Sequence, residues 1–311
     1  MSMVEQCVYL GPEGTFTHDA ARAAVPPNVR LAPLDDVRAV YAAVERGDAR
    51  WGVVAIESSV EGYVIPSLDA LVAARNVVAV AEVFREISFD AFVPAGALGQ
   101  ATHVVGHPVG LAQCADFIAT RGLKAVPAAS NAAACRDVQP HEIALAPAVC
   151  GELYPVTRIA SGVEDFSGAR TRFFLITQRS RGVSVVDSRA DASMIAITPR
   201  ATGPGVLARI AQAFGDHGIN MSSLITRPLK ALSGKYTFIV TVDAPTCAPA
   251  MQAVLHDLMD HDDALKTLGV YVRSGQLDQG IDESRIAPGS VGREDSGDVV
   301  DHALLWGGVG L

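Results

Sequence analysis

Aromatic and charged side chains are both scarce in this chain of 311 residues: Phe, Trp and Tyr make up 6%, and Asp, Glu, Lys and Arg 19%. Positive charge is not in excess. The formal net charge is −9, so the concentrated Lys and Arg that phosphate backbones require are missing, and nucleic acid is excluded as the expected partner. No C-x-x-C pair occurs. The five cysteines, Cys7, Cys114, Cys135, Cys150 and Cys247, are odd in number and scattered, which fits free thiols in a reducing cytosol. No apolar run approaches the roughly 18 residues of a membrane span. The N-terminus has Glu5 and only the short run Cys7 to Leu10 before Gly11, unlike a signal peptide. These features predict a cytoplasmic protein without a membrane partner.

Apolar residues, in contrast, make up 49%, ample for real cores, and the length predicts two or three folded units. Over the first 180 residues short apolar runs alternate with amphipathic ones. The runs 7–10, 51–56, 77–83, 103–105, 143–145 and 173–176 read as buried strands. Helical patterns lie near 36–46, 67–75, 109–121 and 131–138. Such alternation predicts an α/β fold with mostly parallel strands. A polar segment, 181–192, reads as a linker. The order strand 194–198, helix 204–217, strand 219–226, strand 236–242, helix 248–260 and strand 268–272 is a ferredoxin-like βαββαβ unit within 193–275. The acidic, Gly-rich tail 276–311 reads as disordered, with Leu304, Leu305 and Trp306 its one apolar cluster.

Four blocks bear chemistry. Gly11-Pro12-Glu13-Gly14-Thr15-Phe16-Thr17-His18 ends a strand and opens a helix, where free N–H groups meet an anion; read alone it is more readily a tight turn with Thr17 as N-cap. Glu57-Ser58-Ser59-Val60-Glu61-Gly62 sets carboxylates and hydroxyls at a strand's C-terminal end, where α/β folds bind ligands, or else forms a capping loop. His103 and His107 have i, i+4 spacing, but they sit across a strand and turn with Pro108 and no nearby carboxylate, so no metal site is expected. Arg170-Thr171-Arg172 precedes an apolar strand and suits a polycarboxylate, although solvated arginines at a strand edge have the same pattern.

Taken in order, GPEGTF, the A-I-E-x-S-x-x-G block, His107-Pro108 through Gln113-Cys114, Ser130-Asn131-Ala132-Ala133 and Thr171-Arg172-Phe173 resemble the prephenate dehydratase family. The unit from Gly205-Val206-Leu207 through Asn220 to Arg227-Pro228 resembles the ACT domain that follows in that family. The resemblance implies a two-lobed, periplasmic-binding-protein-like catalytic domain over 1–180, with lobe one at 1–84 plus 158–180 and lobe two at 85–157. It implies a lyase that converts prephenate to phenylpyruvate, carbon dioxide and water in phenylalanine biosynthesis, without metal or organic cofactor. Thr171, Glu57, Gln113 and Ser58 are the implied catalytic residues, with Thr171 assisting the leaving hydroxyl and Glu57 supplying its proton. Thr15, Arg172, Phe173, Ser130, Asn131 and Glu61 are the implied substrate-binding residues. An amino-acid effector, phenylalanine among the candidates, would be held by Gly205, Val206, Leu207, Asn220, Met221 and Arg227. A homodimer or homotetramer is the implied assembly.

Several positions depart from the family pattern. Glu-Asn-Ser reads Glu57-Ser58-Ser59, the serine before His-Pro is Gly106, and the asparagine two residues ahead of Thr171 is Ala169. In the ACT unit Glu-Ser-Arg-Pro reads Ile225-Thr226-Arg227-Pro228. These changes keep two further readings in play: a divergent relative acting on prephenate or arogenate, including one that decarboxylates without aromatising, and a catalytically inactive amino-acid sensor. The retained Thr171-Arg172-Phe173 favours the dehydratase.

Overall fold

A computed structural model describes residues 5–97, 100–229, 234–274 and 286–305. Lobe one is built from β1 (Gln6–Leu10), α1 (Phe16–Ala24), β2 (Arg30–Leu34), α2 (Val37–Arg46), β3 (Trp51–Ser58), the short β4 (Gly62–Tyr63), α3 (Ile65–Ala73) and β5 (Val77–Glu86). Lobe two follows with β6 (Asp90–Pro94), β7 (His103–Gly106), α4 (Pro108–Ala112), α5 (Ala115–Thr120), β8 (Lys124–Pro127), α6 (Asn131–Arg136), β9 (Glu142–Ala146), α7 (Cys150–Leu153) and β10 (Val156–Ala160). The chain then returns to lobe one through β11 (Arg170–Gln178) and α8 (Arg179–Val185). The βαββαβ unit comprises β12 (Ala192–Thr198), α9 (Val206–Asp216), β13 (Met221–Pro228), β14 (Tyr236–Val242), α10 (Pro249–Asp260) and β15 (Ala264–Tyr271).

The apolar runs read as strands all lie within strands, and the βαββαβ order is as expected. The helix expected at 109–121 is two helices, α4 and α5, broken at Gln113 and Cys114. Strands β2, β6, β8 and β10 escape a search for apolar runs because they are short and part-polar. β10 pairs with β6 in the second sheet, so the chain leaves lobe two after Ala160 rather than near 158. The segment expected as a linker begins as α8, whose Gly182 packs on β5; a Cβ there would lie 2.7 Å from Val78.

Lobe one's sheet is mixed. β1 runs parallel to β2 and β3, while β11 is antiparallel to both β3 and β5. Side chains alternate across β11 with the strand period of two. Phe173 and Leu175 enter the core beneath α1, with Tyr9, Ala20 and Val53. Phe174 and Ile176 enter the opposite core, with Val54 and Leu68 and with Met194, Ile239 and Tyr271 of the βαββαβ unit. Full burial of each such aromatic stabilises the fold by about 1.5–3 kcal/mol.

The sheet of the βαββαβ unit is therefore covered on both faces. Helices α9 and α10 pack on one through Ile210, Phe214, Met251 and Val254. The other rests on lobe one. Arg227 pairs with Asp69 of α3 at 2.7 Å, and the Lys266 ammonium donates to the carbonyls of Leu71, Val72 and Ala74 at the end of that helix. β15 also meets β5 at a single parallel bridge, Gly269 to Ala79. Only glycine permits that approach, since a Cβ on Gly269 would lie 2.9 Å from the Ala79 methyl. The second compact unit, 275–311, contains one described helix, α11 (Gly297–Leu304), with no buried residue; its presence differs from the expected disordered tail, and Trp306 lies outside the described residues.

Candidate active site

Two helix N-termini face a cavity of about 600 Å³ between the lobes. Thr15, not Thr17, caps α1: its Oγ accepts from His18 N at 3.2 Å, and α1 begins at Phe16. Ser130 caps α6, accepting from Ala133 N at 3.0 Å. Asn131 follows, its Oδ1 accepting from His107 N at 2.8 Å. Gly106 and Gly110 make room for that amide, because a Cβ on either would stand 3.1 or 2.7 Å from Asn131 Oδ1. Thr15, Ser130, Asn131, His107 and Arg136 all line this cavity. The sequence reading passed over Arg136; the signal was one cation at the end of a short helix. Unpaired N–H groups at helix starts favour anions.

The Gly14 turn is seated against lobe two. Its φ is +90°, and a Cβ would lie 3.0 Å from Cys150 Sγ and 3.3 Å from the Tyr154 ring. Tyr154 Oη donates to Glu13 O at 2.6 Å. Cys150 donates to Gly14 O at 3.3 Å, and its free thiol is held in the protonated form by the hydrogen-bonding contact of the neighbouring Cys135 thiol and by burial. His18 lies beneath, stacked on Tyr9 at 5.2 Å, with Nδ1 accepting from Gly14 N at 3.1 Å. Burial lowers the His18 pKa, so the ring is neutral and holds the turn as an acceptor.

Thr171 stands at the start of β11, directly opposite Ser58 on β3 and Arg85 on β5. Its side chain shares the α1 face with Phe173. Ser58 Oγ accepts from Val60 N and Glu61 N, at 3.2 and 3.3 Å, and so shapes the turn that leaves Glu61 exposed. Gln113 occupies the break between α4 and α5. Asp165 builds that break: it accepts from Ala115 N at 2.8 Å and Asp116 N at 3.0 Å, while its own N–H donates to Gln113 O at 2.7 Å. No sequence motif pointed to Asp165; it lies six residues before Thr171 in a segment without periodicity.

Three expected residues stand elsewhere. Phe173 is 1% exposed and belongs to the core under α1, where it offers a ligand no surface. Arg172 points to the opposite face from Thr171, over the Phe174 ring. There it pairs with Glu57 at 2.6 Å and Glu82 at 3.6 Å. Glu57 reaches that face through the irregular register where β3 meets β11, and so is not beside Thr171. The buried carboxyl on that face is Glu82, whose pKa is raised by burial against the opposing pull of Ser274 and Arg172. Among the described residues no group of three His, Cys, Asp or Glu is arranged to hold a metal.

In the βαββαβ unit, Gly205 takes φ +88° to start α9, and Val206 and Leu207 line a cavity of about 180 Å³ with Thr202, Tyr236 and Phe238. Asn220, Met221 and Arg227 lie outside that cavity. Asn220 donates to Asp243, Met221 packs in the helix-covered core, and Arg227 is committed to Asp69.

Comparison with known proteins agrees with this architecture. Residues 7–181 match the family model for prephenate dehydratase, and residues 202–258 match the ACT domain. The prephenate dehydratase of Amycolatopsis methanolica is 31% identical over 275 residues, covering 87% of this chain and 90% of its own. That of Corynebacterium glutamicum is 34% identical over 241 residues, covering 74% and 76%. The crystal structure of prephenate dehydratase from Arthrobacter aurescens in complex with L-Phe superposes with a TM-score of 0.77 at 27% identity, covering 86% of this chain and 90% of that one. Among the described residues no helix is long and apolar enough to cross a membrane. With two ordered domain matches and family-wide likeness over most of its length, the chain belongs to the prephenate dehydratase family and carries that family's ACT domain.

Proposed function

We propose that the chain binds prephenate in the cleft between the two lobes and converts it to phenylpyruvate, carbon dioxide and water, with residues 1–180 as the catalytic body and 193–275 as the sensing unit. One observation supports this reading: Thr171, Ser58 and the capped start of α1 share one face and one strand end of lobe one. Loss of carbon dioxide pushes an electron pair into the ring, the ring C–O bond breaks, and the departing hydroxide takes a proton to leave as water. Thr171 Oγ1 hydrogen-bonds that oxygen and relays the proton, which solvent in the cleft replaces; Ser58 and Gln113 orient the hydroxyl. Because Glu57 is ion-paired on the far face, the relay runs without it. Thr15, Ser130 and Asn131 hold carboxylate oxygens beside the helix N-termini, and Glu61 closes the rim.

The Arthrobacter aurescens relative is a complex with L-Phe. By that likeness an aromatic amino acid occupies the cavity behind Gly205, Val206 and Leu207; the ACT domain itself suits association of copies of this chain as a dimer or tetramer. The five free cysteines support a cytoplasmic setting. Purified protein incubated with prephenate should form phenylpyruvate, read by absorbance in alkali. Thr171→Ala should lower kcat by at least about 100-fold, within the range for loss of proton-transfer assistance, and leave the melting temperature nearly unchanged. Consumption of prephenate without an aromatic product would favour the non-aromatising reading, for which Gly106 and the apolar, buried Ala169 speak.

A further inference from the structure

The signature arginine of this site is turned away from it. Arg172 and Thr171 are consecutive on a regular stretch of β11 against β5, so their side chains leave opposite faces. The Arg172 side chain is 10% exposed and its charge is answered by two carboxylates. A dianionic substrate beside Thr171 must therefore find its cation elsewhere.

Arg85 meets the requirement. It lies directly across from Thr171 on β5, and opposite residues of an antiparallel pair project to the same face with Cβ atoms about 4.5–5.5 Å apart. Its side chain keeps 29% of its surface exposed. With Phe16 and Ser88 it lines a cavity of about 590 Å³ between the lobes, whose other charged lining residues are Arg22, Asp19, Glu86 and Glu152. Among the described residues its one ionic partner is Asp19 of α1, at 2.8 Å from Nε. That contact lies off the N–H direction, leaving Nε without an aligned hydrogen bond, and among the described residues Nη1 donates only to the carbonyl of Phe84 at 3.2 Å. Arg85 is thus half-buried, weakly satisfied and on the reacting face, whereas Arg172 is buried and neutralised.

We infer that Arg85 binds one carboxylate of the substrate and sets the preference for a dianion, resting on the reading that prephenate occupies this cleft. The chemistry selects which carboxylate. The ring carboxylate must lose its charge as carbon dioxide departs, so a cation on it would hold back the reaction. The side-chain carboxylate of the pyruvyl group stays ionised throughout. A cation there strengthens ground state and transition state alike, which appears in KM and not in kcat.

The test compares wild type, Arg85→Leu, Arg85→Lys and Asp19→Asn by steady-state kinetics, with prephenate Kd read by calorimetry in the Thr171→Ala background. Loss of one charge-assisted hydrogen bond corresponds to a roughly 10- to 100-fold weakening. Arg85→Leu should raise KM and Kd by that factor with kcat within about threefold of wild type, and Arg85→Lys should recover part of the loss. Asp19→Asn should hold or lower KM, since it releases the guanidinium. If Arg85 only braces α1, Asp19→Asn and Arg85→Leu will have the same effect, and the inference falls. Unchanged Kd in Arg85→Leu also overturns it, as does wild type that neither binds nor consumes prephenate. Binding without phenylpyruvate would sink the dehydratase reading alone, and Kd would still decide the role of Arg85.

Discussion

Thr171 and Arg172, adjacent in sequence, project from opposite faces of β11, one toward α1 and the other toward the core shared with the ACT domain. On Arg172's side the chain of contacts runs through Glu82 to the segment just after β15, where Ser274 N donates to Glu82 Oε1 at 2.7 Å.

Glu82 should make stability depend on pH. Burial raises its folded-state pKa above the unfolded value. Between those two values the native chain binds more protons than the unfolded one, so this contribution is present at low pH and is lost as pH rises through the folded pKa. Glu82→Gln removes the titration. Urea unfolding of both proteins from pH 5 to pH 7.5 should show wild type losing ground to the variant as pH rises; parallel curves would refute the assignment.

Asp165 should act on catalysis through Gln113. Asp165→Ala removes a two-pronged helix cap, costing about 1–2 kcal/mol, and loosens the start of α5 just after Gln113, while the main-chain bond from residue 165 to Gln113 O remains. The expected loss in kcat is about tenfold. In a Gln113→Ala background the same substitution should add little to the kinetic loss, a coupling read by a double-mutant cycle. Full additivity would detach the two residues.

Gly110→Ala should destabilise the protein although alanine favours helices. Its methyl would lie 2.7 Å from Asn131 Oδ1 and 2.9 Å from Nδ2. Moving the amide breaks its bond with His107 N. The expected cost is about 1–3 kcal/mol by denaturant unfolding, with weaker prephenate binding; a gain in stability would show that Asn131 yields freely.

Lys266 should destabilise the folded chain at neutral pH relative to alkaline pH. Burial, helped by Arg179 and opposed by Glu45, lowers its pKa to about 8. Above that value the unfolded chain holds the extra proton, so stability rises with pH until the unfolded lysine titrates in turn. Relative to Lys266→Met, wild type should gain up to about 1 kcal/mol between pH 8 and pH 9, after discounting for solvent screening. No relative gain would mean that the ammonium is solvated.

Much of the fold was legible because it rests on local periodicity. The apolar runs at 7–10 and 51–56 and the amphipathic helix with Ile210 and Phe214 carry their period in the sequence. Short, part-polar β2 and β10 do not, because pairing with a neighbour rather than their own pattern makes them strands. Among site residues, Thr15, Ser130 and Asn131 were reached through the family resemblance, whereas the local pattern alone put the cap of α1 at Thr17, two residues from the Thr15 that holds it. Arg85 and Asp165 were not legible, since their partners lie 86 and 52 residues away in the chain, at Thr171 and Gln113.

Sequence alone determined the two-part plan, the order of the signature blocks and the family to which they point, because each depends on residues close together in the chain. Tertiary structure alone decided which face each signature residue serves. The strand period separates Thr171 from Arg172, an irregular register carries Glu57 away with the arginine, and cross-strand pairing brings Arg85 to Thr171. Facing is a property of paired strands and of the two cores they divide, so a single strand's sequence holds the alternation without saying which side meets the cleft.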